Sequence, residues 1–536
     1  MFVHNLKIAF RNMRKYKNQT LISIVGLAVG FTCFALATLW IRYEMTFDVF
    51  HKNAQQMYVV FIPNDTQTGN SKRTNRALAG YLKETFPEIA NATTLGSWTQ
   101  SVNIEGVEIS SHVSHVDTSF IRMFDVKVLE GSLDFLISGE RKIAVSSRKA
   151  RQLYGNENPV GKTVALNDHE YTISAVVSEM SKKSNYSYDF IFPHRIAVSG
   201  VNPWHWIGFH TIIELHSETN VAAFEKKLYE HRPENEGSFI KNMTIIPLTK
   251  LRYVDPEREL TREVKFQHII ILAVSGLLVV LCSLFNYFTL FVSRFRIRQK
   301  ELALRMVCGA STGSLFMMLS VEFVITLMFA VVAGCMFTRL FYEPFLTLAE
   351  IEMNLSAIYF KSFVYIGGVI ILSLILFWLI LVIFRYRSLN ISIRRSNKKM
   401  FRKASVVVQL VISIGFAFCS TIILKQIHFL HHADELGFSF KNRASINLYG
   451  VNNELFASWL KQIPEIIEVV DAKSIEPLLP QNHRSSWEVE LRDDARPSLG
   501  KIRLDAGYIL PEYADFYDFQ LISGNWLTHA DDEYTV

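Results

Sequence analysis

One segment has the composition of a phosphate-binding loop. Residues 155–163 read GNENPVGKT, with a lysine and a threonine directly after the second glycine. A P-loop has four residues between its glycines, follows a strand and opens a helix, so that backbone N–H groups point at phosphate. Here five residues separate the glycines, a helix-like segment precedes them and a strand-like segment follows. The pattern therefore indicates a turn that enters a strand and excludes a nucleotide site.

Histidines are the next candidates, because three of them could bind zinc. His428, His431 and His432 lie close together after the last apolar block, but no cysteine near them completes a site. His112 and His115 are three apart in a strand-like segment and would point to opposite faces. No serine-hydrolase, zinc-protease or paired-carboxylate pattern stands out. We therefore expect no catalytic residues, no metal site and no bound cofactor.

The segment RQKELALRMVCGAS is the strongest candidate for binding a partner. Glu301 and Arg305 are four apart with the acid first, which is the favourable order on a helix. Leu302 and Met306 form an apolar stripe on a neighbouring face, and Gly309 is placed to end the helix. Two interpretations are open at this point. The segment is either a linker held at a membrane by its charge or a docking helix for a partner.

Apolar blocks must position these residues. The chain has 536 residues, 49% of them hydrophobic, which is typical of an integral membrane protein with soluble parts. The 24-residue block that precedes the docking segment would span roughly 36 Å, against a hydrocarbon core of about 30 Å. The predicted spans are residues 20–40, 269–292, 314–340, 363–384 and 405–424.

The basic residues give the orientation. Eighteen of the 56 Lys and Arg side chains fall in residues 1–19, 294–305 and 385–403, each next to a predicted span. This is the positive-inside pattern rather than a nucleic-acid footprint, so we expect a cytoplasmic N-terminus, a cytoplasmic loop at 294–311 and a basic cytoplasmic linker at 385–403. We expect no nucleic-acid partner.

Residues 1–19 are predicted to form an amphipathic helix on the membrane surface, in contact with lipid. The residues expected to lie at that surface are Phe2, Leu6, Phe10, Arg11 and Arg14.

Two polar residues, Asn286 and Glu322, lie within predicted spans. Such groups are costly in a membrane, at about 2.5–3.5 kcal/mol for a charge at the centre. Glu322 is about two turns into its span. A helix-packing or headgroup contact and a specific role are both open for it.

Between the first two spans, residues 43–265 are predicted to form an α+β domain outside the cytoplasm. Alternating patterns predict strands at 58–62, 142–146, 171–177 and 211–215, and helices at 148–153 and 221–229. None of the five cysteines lies in this region, so a disulfide framework is excluded there.

The order of linker, span and polar domain occurs twice. FDVKVLEG at 124–131 matches YDFQLISG at 517–524, and residues 142–145 match 533–536. Residues 425–536 are thus expected to begin a second outer domain. Because the second copy stops within an expected strand, we expect a truncated or split version of a protein with about eight spans.

Several motifs resemble one family. R-x-K-E-x-x-x-R-x-x-x-G-A-S at 298–311, with Asn286 before it and Glu322 after it, resembles the loop signature of the FtsX/MacB-type ABC transporter permeases. NLKxAxRN at 5–12 resembles the entry helix of that family, and LYGNENPVGKT at 153–163 resembles a turn of its outer domain.

The resemblance implies an integral membrane α-helical protein with a MacB-like periplasmic α+β domain between spans 1 and 2. It implies a non-catalytic permease subunit in the inner membrane, of the eight-span subtype with two outer domains, that moves its periplasmic domains when a separate ATPase hydrolyses ATP. No Walker motif is found here, so the ATPase is expected on another chain. The expected ATPase-coupling residues are Arg298, Lys300, Glu301, Leu302, Arg305, Met306, Gly309 and Ala310.

Further partners implied by the resemblance are a second permease copy or pseudo-dimer and periplasmic or outer-membrane proteins. The movement could serve export or extraction of a peptide, lipoprotein or drug, or envelope signalling. Two alternatives remain open: a membrane-anchored sensor or binding module without an ATPase, and a true conduit with a polar face along several spans.

Overall fold

A computed structural model of the 536-residue chain describes residues 2–63, 70–104, 106–138, 140–166, 169–194, 202–204, 207–233, 240–254, 266–349, 351, 355–388, 397–432, 442–444, 453–470, 485–490, 501–506, 512–518 and 523. Part of the predicted linker (389–396) and most of the predicted second outer domain lie outside these residues.

The helices, numbered in chain order, are α1 Phe2–Lys15, α2 Lys17–Glu44, α3 Leu78–Thr85, α4 Thr118–Met123, α5 Phe135–Ser138, α6 Ser147–Tyr154, α7 Val221–Glu230, α8 Leu251–Val254, α9 Phe266–Ile297, α10 Gln299–Val307, α11 Thr312–Leu340, α12 Tyr342–Ala349, α13 Leu355–Ser388, α14 Asn397–His432, α15 Asn453–Leu460 and α16 Tyr513–Phe516. The strands are β1 Met57–Pro63, β2 Asn70–Ser71, β3 Arg73–Asn75, β4 Ile89–Ile104, β5 Val107–Val116, β6 Val128–Gly131, β7 Lys142–Ser146, β8 Thr163–Leu166, β9 His169–Val177, β10 Phe190–Pro193, β11 Ile207–Leu215, β12 Thr244–Pro247, β13 Ser485–Glu490 and β14 Lys501–Ala506.

Within the described residues, five helices are long and apolar enough to cross a membrane. Their candidate spans are Lys17–Glu44, Phe266–Phe295, Gly313–Leu340, Ile358–Leu379 and Val406–Phe429. The predicted class, an integral membrane protein with five spans and an inserted α+β domain, is confirmed. Much of the segment between the third and fourth predicted spans is also helical, as α12 and the start of α13.

Four spans, α2, α9, α11 and α13, form a bundle. Its core is aromatic: Tyr287, Phe288 and Phe291 of α9 pack with Phe323 of α11 and Phe377 of α13. The rings of Phe323 and Phe377 are stacked with centroids 4.3 Å apart. Because large rings fill the space between these helices, the bundle is held by close packing.

The domain inserted between α2 and α9, here called the inserted domain, is built on one large sheet. The strand order is β12-β1-β11-β4-β5-β10-β7-β9-β6, with β2 on β1, β3 on β11, and β8 on β4 and β9. Most pairs are antiparallel, but β5–β10 and β7–β9 are parallel. The predicted strands are confirmed as parts of β1, β7, β9 and β11, and the two predicted helices as α6 and α7.

The matched segments 124–131 and 517–524 share an unusual backbone feature. Asp125 follows α4 and Asp518 follows α16, and both have φ = 53°. Each carboxylate accepts a hydrogen bond from a residue soon after a membrane helix, at 2.9 Å from the Lys52 backbone N and 2.7 Å from Arg443 Nη2. A left-handed conformation at a non-glycine residue is uncommon, so its recurrence supports the repeat. Residues 524–536, which include the second match, lie outside the described residues.

Candidate functional site: a short helix and a buried charge cluster

Helix α10 is the short helix predicted between the second and third membrane helices. The Cys308–Ala310 turn ends it: Gly309 has φ = +90°, its N–H donates to the Met306 carbonyl, and Ala310 N–H donates to the Arg305 carbonyl. This is the conformation in which a glycine is favoured at a helix end. Ser311 Oγ then accepts from Ser314 N–H and caps α11. The positions of Gly309 and Ala310 thus fix where one helix stops and the next begins.

The predicted pair on α10 is formed. Arg305 Nη2 lies 3.0 Å from Glu301 Oε1, and Arg305 Nη1 lies 3.8 Å from Met318 Sδ on α11. The Glu301–Arg305 pair therefore lies against the start of α11 while both side chains remain partly exposed.

The predicted apolar stripe of α10, Leu302 and Met306, is buried at one residue and exposed at the other. Leu302 is only 4% exposed and packs in the bundle core with Met318 and Leu319, so it is not available to a partner. Met306, one turn further along the same stripe, is exposed. The outward face carries Leu304, 66% exposed, and Val307, 85% exposed. Leu304 and Val307 were not singled out from the sequence, although their i, i+3 spacing places them on one face. The side chain of Lys300 lies outside the described residues.

Arg298, also expected at the docking surface, is instead buried. It separates α9 from α10, with φ = −92° and ψ = 1°. Its Nη1 donates to Glu322 Oε2 of α11 at 2.8 Å, and its Nε lies 3.6 Å from Glu301 Oε2. Glu322 thus pairs with the side chain at the α9–α10 junction.

A second arginine shares the same carboxylate. Arg294 Nη1 is 3.8 Å from Glu322 Oε1, and its guanidinium donates to Thr20 and Ser23 of α2 at 3.4 and 3.2 Å. Asn12 Nδ2 of α1 donates to Glu322 Oε2 at 3.5 Å. The cluster of Asn12, Arg294, Arg298 and Glu322, here called the charge cluster, therefore joins α1, α2, α9 and α11.

The charge cluster is unbalanced. Two arginines face one carboxylate, and the side chains of all three are at most 6% exposed. Arg294 Nε, Arg298 Nε and Arg298 Nη2 have no hydrogen-bond partner. Buried charges cost several kcal/mol each unless they are paired and hydrogen-bonded. One feature of the sequence points to this cluster: Arg294 and Arg298 are four residues apart, which places them on one face of a helix.

The N-terminal helix lies against the third membrane helix. Ala9 and Met13 of α1 pack on Val321 and Ile325 of α11. Phe10 is about half-exposed, and its ring meets that of Phe329 edge-on at 6.3 Å, seven residues beyond Glu322. One face of α1 thus packs along α11 rather than being free for lipid.

Of the residues predicted for the membrane surface, Arg11 and Arg14 are exposed and Leu6 is partly buried. The side chain of Phe2 lies outside the described residues. Asn286 is half-buried on α9, with Nδ2 3.7 Å from where a Cβ on Gly26 would lie, so it faces α2.

The other motifs have structural explanations. Gly155 (φ +61°) and Gly161 (φ +93°) form the turn between α6 and β8, where Lys162 Nζ bonds Glu157 at 2.6 Å. A helix precedes the loop and a strand follows it, the reverse of a P-loop.

The histidines singled out from the sequence differ in their surroundings, as far as their side chains are described. His115 is buried against Trp98 and Phe192, and burial lowers the pKa of its imidazole to about 4. His112 is half-buried, with Nε2 3.3 Å from Ser97 Oγ, and burial also lowers its pKa. His428 lies on α14, and the side chains of His431 and His432 are outside the described residues. Among the residues that are described, no group of three His, Cys, Asp or Glu could hold a metal.

A family model described as the MacB-like periplasmic core domain matches residues 20–230. None of the curated proteins matches the chain.

Several solved structures contain similar domains, and three of them illustrate the likeness. One is a domain of a permease protein from Porphyromonas gingivalis, at 16% identity and TM-score 0.32, covering 37% of this chain and 91% of that one. Another is the periplasmic region of MacB from Actinobacillus actinomycetemcomitans, at 16% identity and TM-score 0.31 with the same coverage. The third is the extracellular domain of the noncanonical ABC-type transporter YknZ from Gram-positive bacteria, at 14% identity and TM-score 0.29, covering 35% of this chain and 99% of that one.

The family match begins within α2, continues through most of the inserted domain and confirms the resemblance drawn from the motifs. Residues 20–230 therefore carry a MacB-like periplasmic core domain, in a chain with five candidate membrane spans, and this arrangement resembles that of the FtsX/MacB-type permeases.

Proposed function

We propose that the protein is the membrane subunit of an ABC transporter and that a separate cytoplasmic ATPase docks on α10. ATP hydrolysis would move α10, and α9 and α11 would carry that movement toward the inserted domain. In this proposal the protein lies in the inner membrane with its N-terminus in the cytoplasm and the inserted domain in the periplasm. The cargo or signal is left open.

One observation supports this proposal above all: α10 has one face packed on the bundle and an opposite face that is apolar and exposed. Leu302 anchors the first, and Leu304 and Val307 form the second. A helix with an apolar face fits a groove on a partner protein. The neighbouring basic residues of 294–305 support a cytoplasmic location for this face, by the positive-inside rule.

The bundle core gives less support to a conduit. Four of its buried hydroxyls, on Thr32, Thr326, Thr338 and Ser373, each donate to a carbonyl of their own helix. Such groups are satisfied locally and do not make a polar path. The described core between these hydroxyls is aromatic.

The test is purification of the tagged protein from membranes, followed by assay for vanadate-sensitive ATP hydrolysis. We expect the wild type to carry this activity and L304D/V307D to lose about 90% of it, because burying two carboxylates in an apolar interface is costly. The matched control is L348D, at a residue 87% exposed on α12, at the other end of α11. Full activity in L304D/V307D would exclude α10 as the docking site. Wild-type protein without ATP hydrolysis would favour the sensor alternative.

The Glu301–Arg305 pair allows a second test. E301Q/R305Q should stay in the membrane, since a partly exposed pair contributes only about 0.5 kcal/mol to stability. We expect it to keep ATP hydrolysis but to lose any ATP-dependent change in trypsin sensitivity of the inserted domain. Unchanged coupling would mean that this pair does not transmit the movement.

A further inference from the structure

The junction between α9 and α10 is a single residue whose side chain is held by another helix. Arg298 N–H donates to the Arg294 carbonyl at 3.1 Å, and the Arg298 carbonyl accepts from Leu302 N–H at 3.0 Å. The main-chain hydrogen bonds therefore run through the junction, although Arg298 itself departs from helical ψ. The direction of α10 relative to α9 depends on this residue.

We propose that Glu322 is the positioning residue for α10: by holding Arg298, it keeps Leu302 inward and the Leu304–Val307 face outward. The inference rests on the proposed function only for its consequence, docking. The geometry itself, a carboxylate of α11 at 2.8 Å from the junction arginine, is independent of any partner.

Arg298 depends on Glu322 more strongly than Arg294 does. Arg294 has two hydroxyl acceptors on α2, Thr20 and Ser23, in addition to its 3.8 Å contact with Glu322. Among the described residues, the Arg298 guanidinium pairs with the carboxylates of Glu322 and Glu301 and with no hydroxyl. Without the Glu322 charge, Arg298 would keep only its 3.6 Å contact with the partly exposed Glu301 while it faces a second buried cation. Leaving a buried charge so weakly paired is strongly unfavourable.

The expected response is movement of Arg298 toward water. Because Leu302 follows Arg298 by one helical turn, release of Arg298 would also withdraw Leu302 from Met318 and Leu319. Glu301, 40% exposed and 3.6 Å from Arg298 Nε, is the nearest carboxylate that could accompany the released arginine. Loss of Glu322 should therefore expose a residue that is buried in the intact protein.

The experiment measures that exposure directly. Cys308 is the one native cysteine outside the five candidate spans, and C308S removes it as a labelling site. In this background, L302C in inside-out vesicles should react slowly with a membrane-impermeant maleimide. Adding E322Q should raise the rate about tenfold or more, as expected when a buried site opens locally.

Three controls make the measurement specific. L304C, at an already exposed position, should react equally fast with and without E322Q. T338V removes another buried hydrogen-bonding side chain of α11, far along the helix, and should leave L302C protected. The exchanged pair R298E/E322R restores opposite charges across the junction and should restore most of the protection of L302C. It also keeps the proposal testable if the E322Q protein cannot be isolated from membranes.

The outcomes separate the two proposals. Continued protection of L302C in E322Q, or exposure that R298E/E322R does not reduce, would overturn the positioning role of Glu322. If L302C becomes exposed but the ATP hydrolysis of the purified protein is unchanged, the positioning role stands and docking on α10 is wrong. Exposure together with loss of ATP hydrolysis would support both.

Discussion

The membrane bundle and the inserted domain bury charge in opposite ways. In the bundle, two arginines share the Glu322 carboxylate, and three of their nitrogen atoms have no hydrogen-bond partner. In the inserted domain, Asp48 is fully buried, and its carboxylate accepts from Ser184 Oγ and from both nitrogens of Asn185. A fully satisfied carboxylate locks one geometry, whereas an unbalanced cluster has less to lose when it rearranges. The comparison therefore predicts a larger loss of stability when the Asp48 carboxylate is removed than when Arg294 is removed from the charge cluster.

Asp48 also holds its own backbone in an uncommon conformation. Its φ is 55°, its N–H donates to the Lys183 carbonyl, and Thr46 accepts from Lys183 Nζ. Asp and Asn tolerate this region better than most residues. The chain is thus fastened to the 183–185 loop within four residues of the end of α2.

The largest expected effect is the loss of stability of the inserted domain when Asp48 is replaced. D48A should destabilise the inserted domain by about 3 to 5 kcal/mol, because three donors lose their acceptor in a buried site. D48N, which keeps the shape and the tolerance for positive φ, should cost clearly less. The measurement is the urea midpoint of trypsin resistance of the inserted domain in the full-length protein. Equal loss in D48A and D48N would show that the charge, not the geometry, carries the stability.

The next effect is a dependence on pH that should be confined to the inserted domain. Burial lowers the pKa of His115 to about 4 and that of His210 well below its usual value. In the unfolded chain these histidines take up protons near pH 6.5, so the unfolded state binds more protons as the pH falls. Stability is complete above pH 6.5 and declines toward pH 4, where His115 alone should cost about 3 kcal/mol.

Urea unfolding between pH 7 and pH 4 tests this expectation. H115F should reduce the slope, since phenylalanine suits the Trp98 and Phe192 surroundings but binds no proton. The thiols of Cys282 and Cys335 report on the bundle, and their exposure should not follow the same curve. A slope that H115F leaves unchanged would assign the pH dependence to other groups.

The smallest effect tests the imbalance of the charge cluster. R294M removes the arginine with the longer contact to Glu322 and should change bundle stability by no more than about 1 kcal/mol, since one cation then faces one carboxylate. R298M, by contrast, removes the partner at 2.8 Å and should cost about 3 kcal/mol or more. Heat stability of the detergent-solubilised protein, followed by cysteine reactivity, compares the two. Equal losses would mean that the cluster is balanced by contacts other than the Glu322 carboxylate.

Local sequence patterns were enough to predict the individual helices and strands. Each membrane helix was readable because hydropathy over some twenty residues is set by the segment alone. The Glu301–Arg305 pair and the Gly309 stop were readable because helix pairs and helix ends depend on residues within one or two turns. The same holds for β7, β9, α6 and α7, and for the family motifs.

The tertiary structure decided what those elements do together. The sequence placed Arg298 and Leu302 with Glu301 on one docking segment, but packing against α11 turned the first two inward. The partners of Glu322 are 24 residues away in Arg298 and 310 away in Asn12, so no local pattern joins them. Likewise, the parallel pairing of β5 with β10 depends on where distant strands meet. Contacts that are distant along the chain form only when the chain packs, which is why the exposed face of α10 and the hold of Glu322 on Arg298 could be found only in the structure.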